Sequence, residues 1–260
     1  MMDEFLTVID ASEAHRRFRA ALNLAPVGEE TVIDALGRVL AVDVKSPVDV
    51  PGFDRSNVDG FAVRAEDTFG ATEATPTKLT GTRIVTGGII PRGADAVVMV
   101  EDTNEGLLSR AVTPGQNVSF AGSDIAKGEI VLRAGTLLTA RETGTLAAIG
   151  VKEVRVWRKP EVAVFSTGNE LVPAGGPIGV GQVYDSNLRI IGDTLRELGC
   201  EPVEFGIVKD DLEALRRALA VAVQHDAVIL SGGTSKGEVD LSVRAVREVA
   251  NVVAHGVALK

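Results

Sequence analysis

From residue 161 onward, short apolar runs and amphipathic stretches alternate at regular spacing. EVAVFSTG (161–168) is an apolar run ending at a glycine-bearing turn, which predicts a strand followed by a loop. DSNLRIIGDTLRELG (185–199) repeats Leu188, Ile191, Leu195 and Leu198 at helical spacing, with Gly199 placed to stop the helix. EPVEFGIVKDD (201–211) reads as strand then loop, Asp211 to about Val223 as helix, DAVILSGG (226–233) as strand then loop, and DLSVRAVREVA (240–250) as helix. Strands and helices alternating in this way predict a parallel α/β sheet. Ligands of such sheets bind outside the carboxyl ends of the strands. Here those ends are Thr167–Glu170, Lys209–Asp211 and Ser231–Asp240, and each carries carboxylates.

The first part of the chain has a different texture. Asp10 followed by Glu13 is a capping signal before an amphipathic run to about Leu24. GEETVIDALGRVLA (28–41) predicts a second short helix that Gly37 can break. Across 47–126 Gly, Pro, Thr and Asp become dense and apolar runs shrink to FAV (61–63), RIV (83–85) and AVVMV (96–100), the pattern of a small irregular β module. TARETGTLAAIG (139–150) returns to helix, with Thr139 and Glu142 as a capping box and Gly150 as the stop, and VKEVRVW (151–157) alternates as a strand. The expected organisation is an α/β multidomain protein. An elongated helical segment (1–46 plus 127–158) carries an inserted β module (47–126), and a three-layer α/β domain (159–260) follows.

Composition narrows the function. Of 260 residues, 27 are Lys or Arg and 36 are Asp or Glu, a formal net charge of -9, which argues against a basic nucleic-acid surface. Aromatic residues make up 4%, so the cores must be built from Val, Leu, Ile and Ala. Cys200 is the only cysteine and can form no internal disulfide. No run approaches the roughly 20 apolar residues of a membrane helix, and MMDEFLTVIDASEAH lacks an apolar signal core. These features predict a soluble cytoplasmic protein with no membrane partner.

Candidate chemistry gathers in the loops. In SGGTSKGEVD (231–240), Gly232 and Gly233 let backbone N–H groups approach an anion, and the helix that follows offers its positive end. Gly237 is followed by Glu238, so this is not a Walker A loop; a plain glycine turn with Asp240 as helix N-cap explains the loop equally well. In STGNEL (166–171), Gly168 permits a tight turn that projects Glu170 over the sheet edge. Glu170, Asp210, Asp211 and Asp240 together form an oxygen-only donor set of the kind that suits magnesium or calcium. PGFDRSNVDGFAV (51–63) packs Asp54, Arg55, Ser56 and Asp59 before a strand, more than a turn requires.

Taken together these stretches resemble one family. PGFDRSNVDGFAVR resembles the PxFDxSxMDGYAxR signature of the molybdopterin molybdenumtransferases, the family of bacterial MoeA and the gephyrin E domain. RIVTGGIIPRGADAVVMVED, GSDI (122–125), FSTGNELVPAG, GQVYDSN (181–187) and SGGTSKGEVD continue the resemblance in order. It implies a molybdopterin-binding α/β domain and insertion of molybdate into adenylated molybdopterin with release of AMP. It also implies Mg2+ as cofactor, and a homodimer whose site is shared between chains, with a molybdopterin adenylyltransferase as a further partner. By position, Asp59, Glu170 and Asp240 match catalytic acids. Thr86, Asp124, Thr167, Gly168, Ser231, Gly232, Gly233 and Ser235 match ligand-binding positions, and Glu170, Asp210, Asp211 and Asp240 the metal side. Departures from the pattern are a shorter β module, Ser119 in place of arginine and Gly256 in place of lysine. The chain also stops at Lys260, where the family continues with Pro-Gly-Lys-Pro and a C-terminal β domain. That stop leaves the α/β sheet incomplete and leaves three expectations: an active or inactive transferase fragment, a non-catalytic dimerising remnant, or an adenylyltransferase-like activity.

Overall fold

The computed structural model describes residues 8–22, 27–232 and 241–258. The α-helices among them are α1 (Ala11–Ala21), α2 (Ala140–Ala148), α3 (Asn187–Glu197), α4 (Leu212–Ala222) and α5 (Leu241–Val249). The chain divides into two compact units: Glu30–Val156, and the preceding segment together with the chain from Trp157 onward. None of these helices is long and apolar enough to cross a membrane.

The α/β unit is organised on a parallel sheet of the expected kind. Its strands lie in the order Glu201–Val208, Glu161–Thr167, Ala227–Gly232. Residues 162–167 of the central strand are all buried, as a strand covered on both faces must be. Alternation divides its side chains between two cores. Ala163 and Phe165 pack with Leu215, Leu219 and Ala222 of α4 and Ala245 of α5. Val162 and Val164 pack with Leu195 of α3, flanked by Leu188 and Ile191. The sheet between these helix layers gives the three-layer architecture. α3 departs from its expected face at one position. The helix ends at Glu197, Gly199 takes φ 81°, and Leu198 is carried off the packed stripe to 73% exposure.

Two further features secure this unit. At the amino edge of the sheet, Arg158 donates from both terminal guanidinium nitrogens to Asp226, and Glu161 N donates to the same carboxylate at 2.8 Å. Val8–Asp10 pairs in parallel with Gly256–Ala258. α1 then starts directly from Asp10, whose side chain accepts from Ser12 N and Glu13 N, satisfying donors that a helix start leaves open.

Glu30–Val156 is built mainly from short strands. Three antiparallel strands, Thr82–Ile84, Gly60–Val63 and Ala96–Met99, form its principal sheet. Ala62, Ile84 and Val97 are buried in one cluster, and Val63, Ala96 and Val98 in another. Gly60 is required by the close pairing: a Cβ there would lie 1.8 Å from Val98 O. A separate cluster unites Ala35, Leu40, Leu138, Leu146, Ile149 and Val156. α2 leans on it through Leu146, and its expected capping box is present, Thr139 with Glu142.

The helix expected over 28–41 does not form. Glu29–Val32 is a strand paired with Val154–Trp157, and Gly37 turns the chain at φ 73°. The apolar spacing suggests a helical stripe, but Ile33 and Leu36 are 60% and 63% exposed while Ala35 and Leu40 are buried. Pairing and core contact outweigh a weak local preference here.

Candidate functional site

The site residues expected from sequence fall in both units. In Glu30–Val156, Asp59 stands immediately before the strand Gly60–Val63, and Thr86 lies in the turn after Thr82–Ile84. Thr86 donates twice to Asp59 Oδ1, from its backbone N at 2.7 Å and its hydroxyl at 2.9 Å. These two bonds, backbone first, hold the Asp59 carboxyl below its ordinary value, and the nearby charge of Arg83 adds to them. Asp59 is therefore a fixed anion at neutral pH.

Asp124 sits on a neighbouring loop. Its Oδ2 lies 4.0 Å from Arg55 Nη2. Arg55–Ser56 pairs with Val118–Ser119, so Ser119 stands directly across from Arg55, and its hydroxyl donates to Asn57 Oδ1 at 2.6 Å. Ser56 N donates to Gly88 O and Gly87 N to Ser56 O. These bonds tie the Thr86 turn to the strand bearing Arg55. Asp59, Thr86, Arg55 and Asp124 thus occupy one connected set of loops.

In the α/β unit a pocket of about 200 Å³ opens at the carboxyl end of the central strand. Thr167, Glu170, Asp185, Asn187, Ser231 and Gly232 contribute to its lining. Gly232 is needed where it stands. Its φ is 106°, and a Cβ there would meet Thr167 O at 2.1 Å. Gly168 makes room for the acid two positions on, since a Cβ at 168 would lie 2.8 Å from both Glu170 carboxylate oxygens. Thr167, Gly168, Glu170, Ser231 and Gly232 are therefore drawn together at this end of the sheet.

Asp210 and Asp211 divide. Asp211 Oδ1 accepts from Ala214 N at 2.8 Å and is the N-cap of α4, a structural task. Asp210 N donates to Asn169 Oδ1 at 3.4 Å, which sets Asp210 against the loop carrying Glu170. Neither contributes to the pocket lining. Gly233, Ser235 and Asp240 lie outside the described residues. Among the described residues no three Asp, Glu, His or Cys side chains group as a metal site.

Two lining residues received no role from the sequence. Asp185 is 9% exposed; its Oδ1 accepts from Leu188 N at 3.1 Å, while Oδ2 is buried with no partner among the described residues. Asn187 Nδ2 donates to Ser231 Oγ at 2.9 Å, joining the first turn of α3 to the end of the last sheet strand. The available signal was VYDSN itself, polar residues packed at a strand-to-helix passage with Asp185 three positions before Leu188.

Comparison with known proteins defines the class. Residues 9–150 match the family model "MoeA N-terminal region (domain I and II)", and residues 163–260 match "Probable molybdopterin binding domain". The chain belongs to the MoeA family. It is 37% identical over 248 residues to a molybdopterin molybdenumtransferase of Haemophilus influenzae, covering 87% of this chain and 61% of that protein. It is 38% identical over 227 residues to molybdopterin molybdenumtransferase 2 of Mycobacterium tuberculosis, covering 78% of this chain and 56% of that one. A crystal structure of a molybdopterin biosynthesis MoeA protein from Pyrococcus horikoshii superposes with TM-score 0.82 at 38% identity, covering 96% of this chain and 69% of that chain. The chain spans 56–65% of the length of the first curated relatives it matches.

Proposed function

We propose that this chain acts in the cytoplasm as a molybdopterin molybdenumtransferase, inserting molybdate into adenylated molybdopterin with release of AMP. The observation that carries the reading is the pocket at the end of the central strand, lined by Glu170 and by Ser231 and Gly232 at the end of the neighbouring strand. The donor chemistry there fits a hard divalent cation, because every titratable or hydroxyl group offered is an oxygen ligand. Glu170 and Asp210, with Asp240, which lies outside the described residues, would hold Mg2+. When bound, the ion would neutralise charge on a phosphoanhydride. Asp211 is assigned away from the metal, since its carboxylate caps α4.

The chain's own residues supply the remaining functions. Gly232, which leaves no room for a side chain beside Thr167 O, lets the end of the last strand lie close against the central strand at the pocket wall. Asp59, fixed as an anion by Thr86, cannot serve as a proton donor near neutral pH; its role is orientation or electrostatic. A second copy of the chain presents Asp59, Thr86 and Asp124 to this pocket in a homodimer, and a molybdopterin adenylyltransferase supplies the adenylated substrate.

The test is to incubate the 260-residue chain with adenylated molybdopterin, molybdate and Mg2+, and to measure AMP release and cofactor formation. Release dependent on both molybdate and Mg2+ is expected. Tight binding with no release would replace the enzymatic reading with that of a binding protein.

A further inference from the structure

Arg55, in the unit Glu30–Val156, carries five N–H donors. Among the described residues its guanidinium meets one partner, Asp124, across 4.0 Å, with the two side chains 42% and 58% exposed. That separation is longer than a hydrogen bond, and an exposed pair of this kind contributes little. The acids of the same stretch are engaged elsewhere, Asp54 with Ala121 N and Asp59 with Thr86. The guanidinium is therefore held in place with its donors unspent.

The strand pair fixes what stands beside it. Residues directly opposed on antiparallel strands share a face. Ser56 and Val118 are opposed, and their face turns inward: Ser56 is buried, and Val118 packs against Ala62, Ile84 and Val97. Arg55 and Ser119 are opposed on the outer face. There the Ser119 hydroxyl donates to Asn57 Oδ1 at 2.6 Å, which turns the Asn57 Nδ2 donor away from Ser119. An arginine at 119, as in the family pattern, would stand against Arg55 as a like charge directly across the pair, a destabilising arrangement. This face therefore takes one guanidinium, and here position 55 carries it while Ser119 orients a second donor.

We propose that Arg55 and Asn57 form a binding site for a tetrahedral oxyanion on the outer face of this strand pair. Arg55 gives two parallel N–H bonds, a geometry that matches two oxygens of such an anion, and Asn57 Nδ2 gives a third. Ser119 is a positioning residue, acting through Asn57. Asp124 competes with the ligand for the guanidinium and is displaced when the anion binds. Every group of the site lies within Glu30–Val156, and none lines the pocket of the α/β unit. The occupant is named on the strength of the proposed function: a molybdenumtransferase handles inorganic molybdate and the phosphates of an adenylated substrate, and both present this chemistry.

The experiment titrates the full chain with sodium molybdate, inorganic phosphate and AMP by calorimetry, without divalent cation. Arg55→Asn should weaken oxyanion binding about tenfold to a hundredfold, the loss expected for charge-assisted hydrogen bonds. Arg55→Lys, which keeps the charge and loses the fork, should retain part of the affinity. Asp124→Asn should tighten binding by removing the competitor, a gain that a purely structural ion pair does not give. The double variant Arg55→Asn/Ser119→Arg should recover part of the loss, since it returns a guanidinium to the same face. Thermal melts of each variant check folding. Tighter binding of molybdate than of AMP assigns the site to the inorganic anion, and the reverse order assigns it to a nucleotide phosphate. If no oxyanion binds, or if Arg55→Asn and Asp124→Asn leave the affinity unchanged, the inference is overturned; AMP release by the same chain would then leave the proposed function standing. Arg55-dependent binding without AMP release would keep the site and remove the enzymatic reading.

Discussion

Arg158 holds Asp226 in a two-point grip, with each terminal guanidinium nitrogen 2.7 Å from a different carboxylate oxygen. The pair stands at the opposite edge of the sheet from the pocket, just where the chain enters the central strand. Arg158 first, then Glu161 N, keeps the Asp226 carboxyl below its ordinary value. A carboxylate whose folded value is lowered contributes stability that is complete above the unfolded value and lost as pH falls through the folded one. The melting-temperature difference between the natural chain and Asp226→Asn should therefore be constant above about pH 5 and should close as pH drops below 3.8, the unperturbed value. A difference that persists into acid would show that the grip is not what Asp226 contributes.

Glycines at two positions should respond in opposite directions to alanine. Gly232 has φ 106° and no room beside Thr167 O, so Gly232→Ala should cost about 1–3 kcal/mol, the scale of local backbone strain. Gly144 lies inside α2, and a methyl group added there would meet nothing within 4 Å, so Gly144→Ala should stabilise by about 0.5–1 kcal/mol. Urea unfolding midpoints of both variants check the pair.

Asp59 and Thr86 should matter to turnover and hardly to folding. Both are exposed, and substitutions at exposed positions commonly change stability by less than about 0.5 kcal/mol. Asp59→Asn removes the anion, and Thr86→Val removes the hydroxyl donor that helps to fix it. AMP release should fall at least about tenfold for Asp59→Asn, the scale of one lost charged interaction, with the melting temperature nearly unchanged. A large fall in melting temperature would instead mark the pair as structural.

The capping box of α2 offers a simpler check. Thr139→Ala removes the side chain that accepts from Arg141 N and donates to Glu142. The expected loss is about 1 kcal/mol, read as a lower unfolding midpoint of Glu30–Val156.

What the sequence reveals depends on how local the determining contact is. The Thr139–Glu142 box and the strand–helix alternation after residue 160 are set within a few residues of one another, and both are legible. The strand Glu29–Val32 is not, because its partner Val154–Trp157 lies far along the chain, and its residues mimic helical spacing. Asp211 resembles a metal ligand in the sequence because an acid at a strand end looks the same whether it faces a ligand or caps the next helix; only its bond to Ala214 N decides. Asp185 and Asn187 escape for the converse reason. Their surroundings, a buried oxygen with no partner among the described residues and the Ser231 hydroxyl, have no local signature.

The pairing of Val8–Asp10 with Gly256–Ala258 joins segments from nearly opposite ends of the described chain, an expensive loop to close in an unfolded polymer. The bond from Arg158 N to Gly28 O, at 2.8 Å, changes that arithmetic. Once Glu30–Val156 has folded, its two ends are adjacent, and the excursion between residues 28 and 158 contracts to a single hydrogen-bonded step. The effective contact order of the remaining sheet falls accordingly. The topology therefore favours a sequence of assembly in which the interior unit forms first during synthesis, and the terminal strands meet only after it has brought their flanking segments within reach.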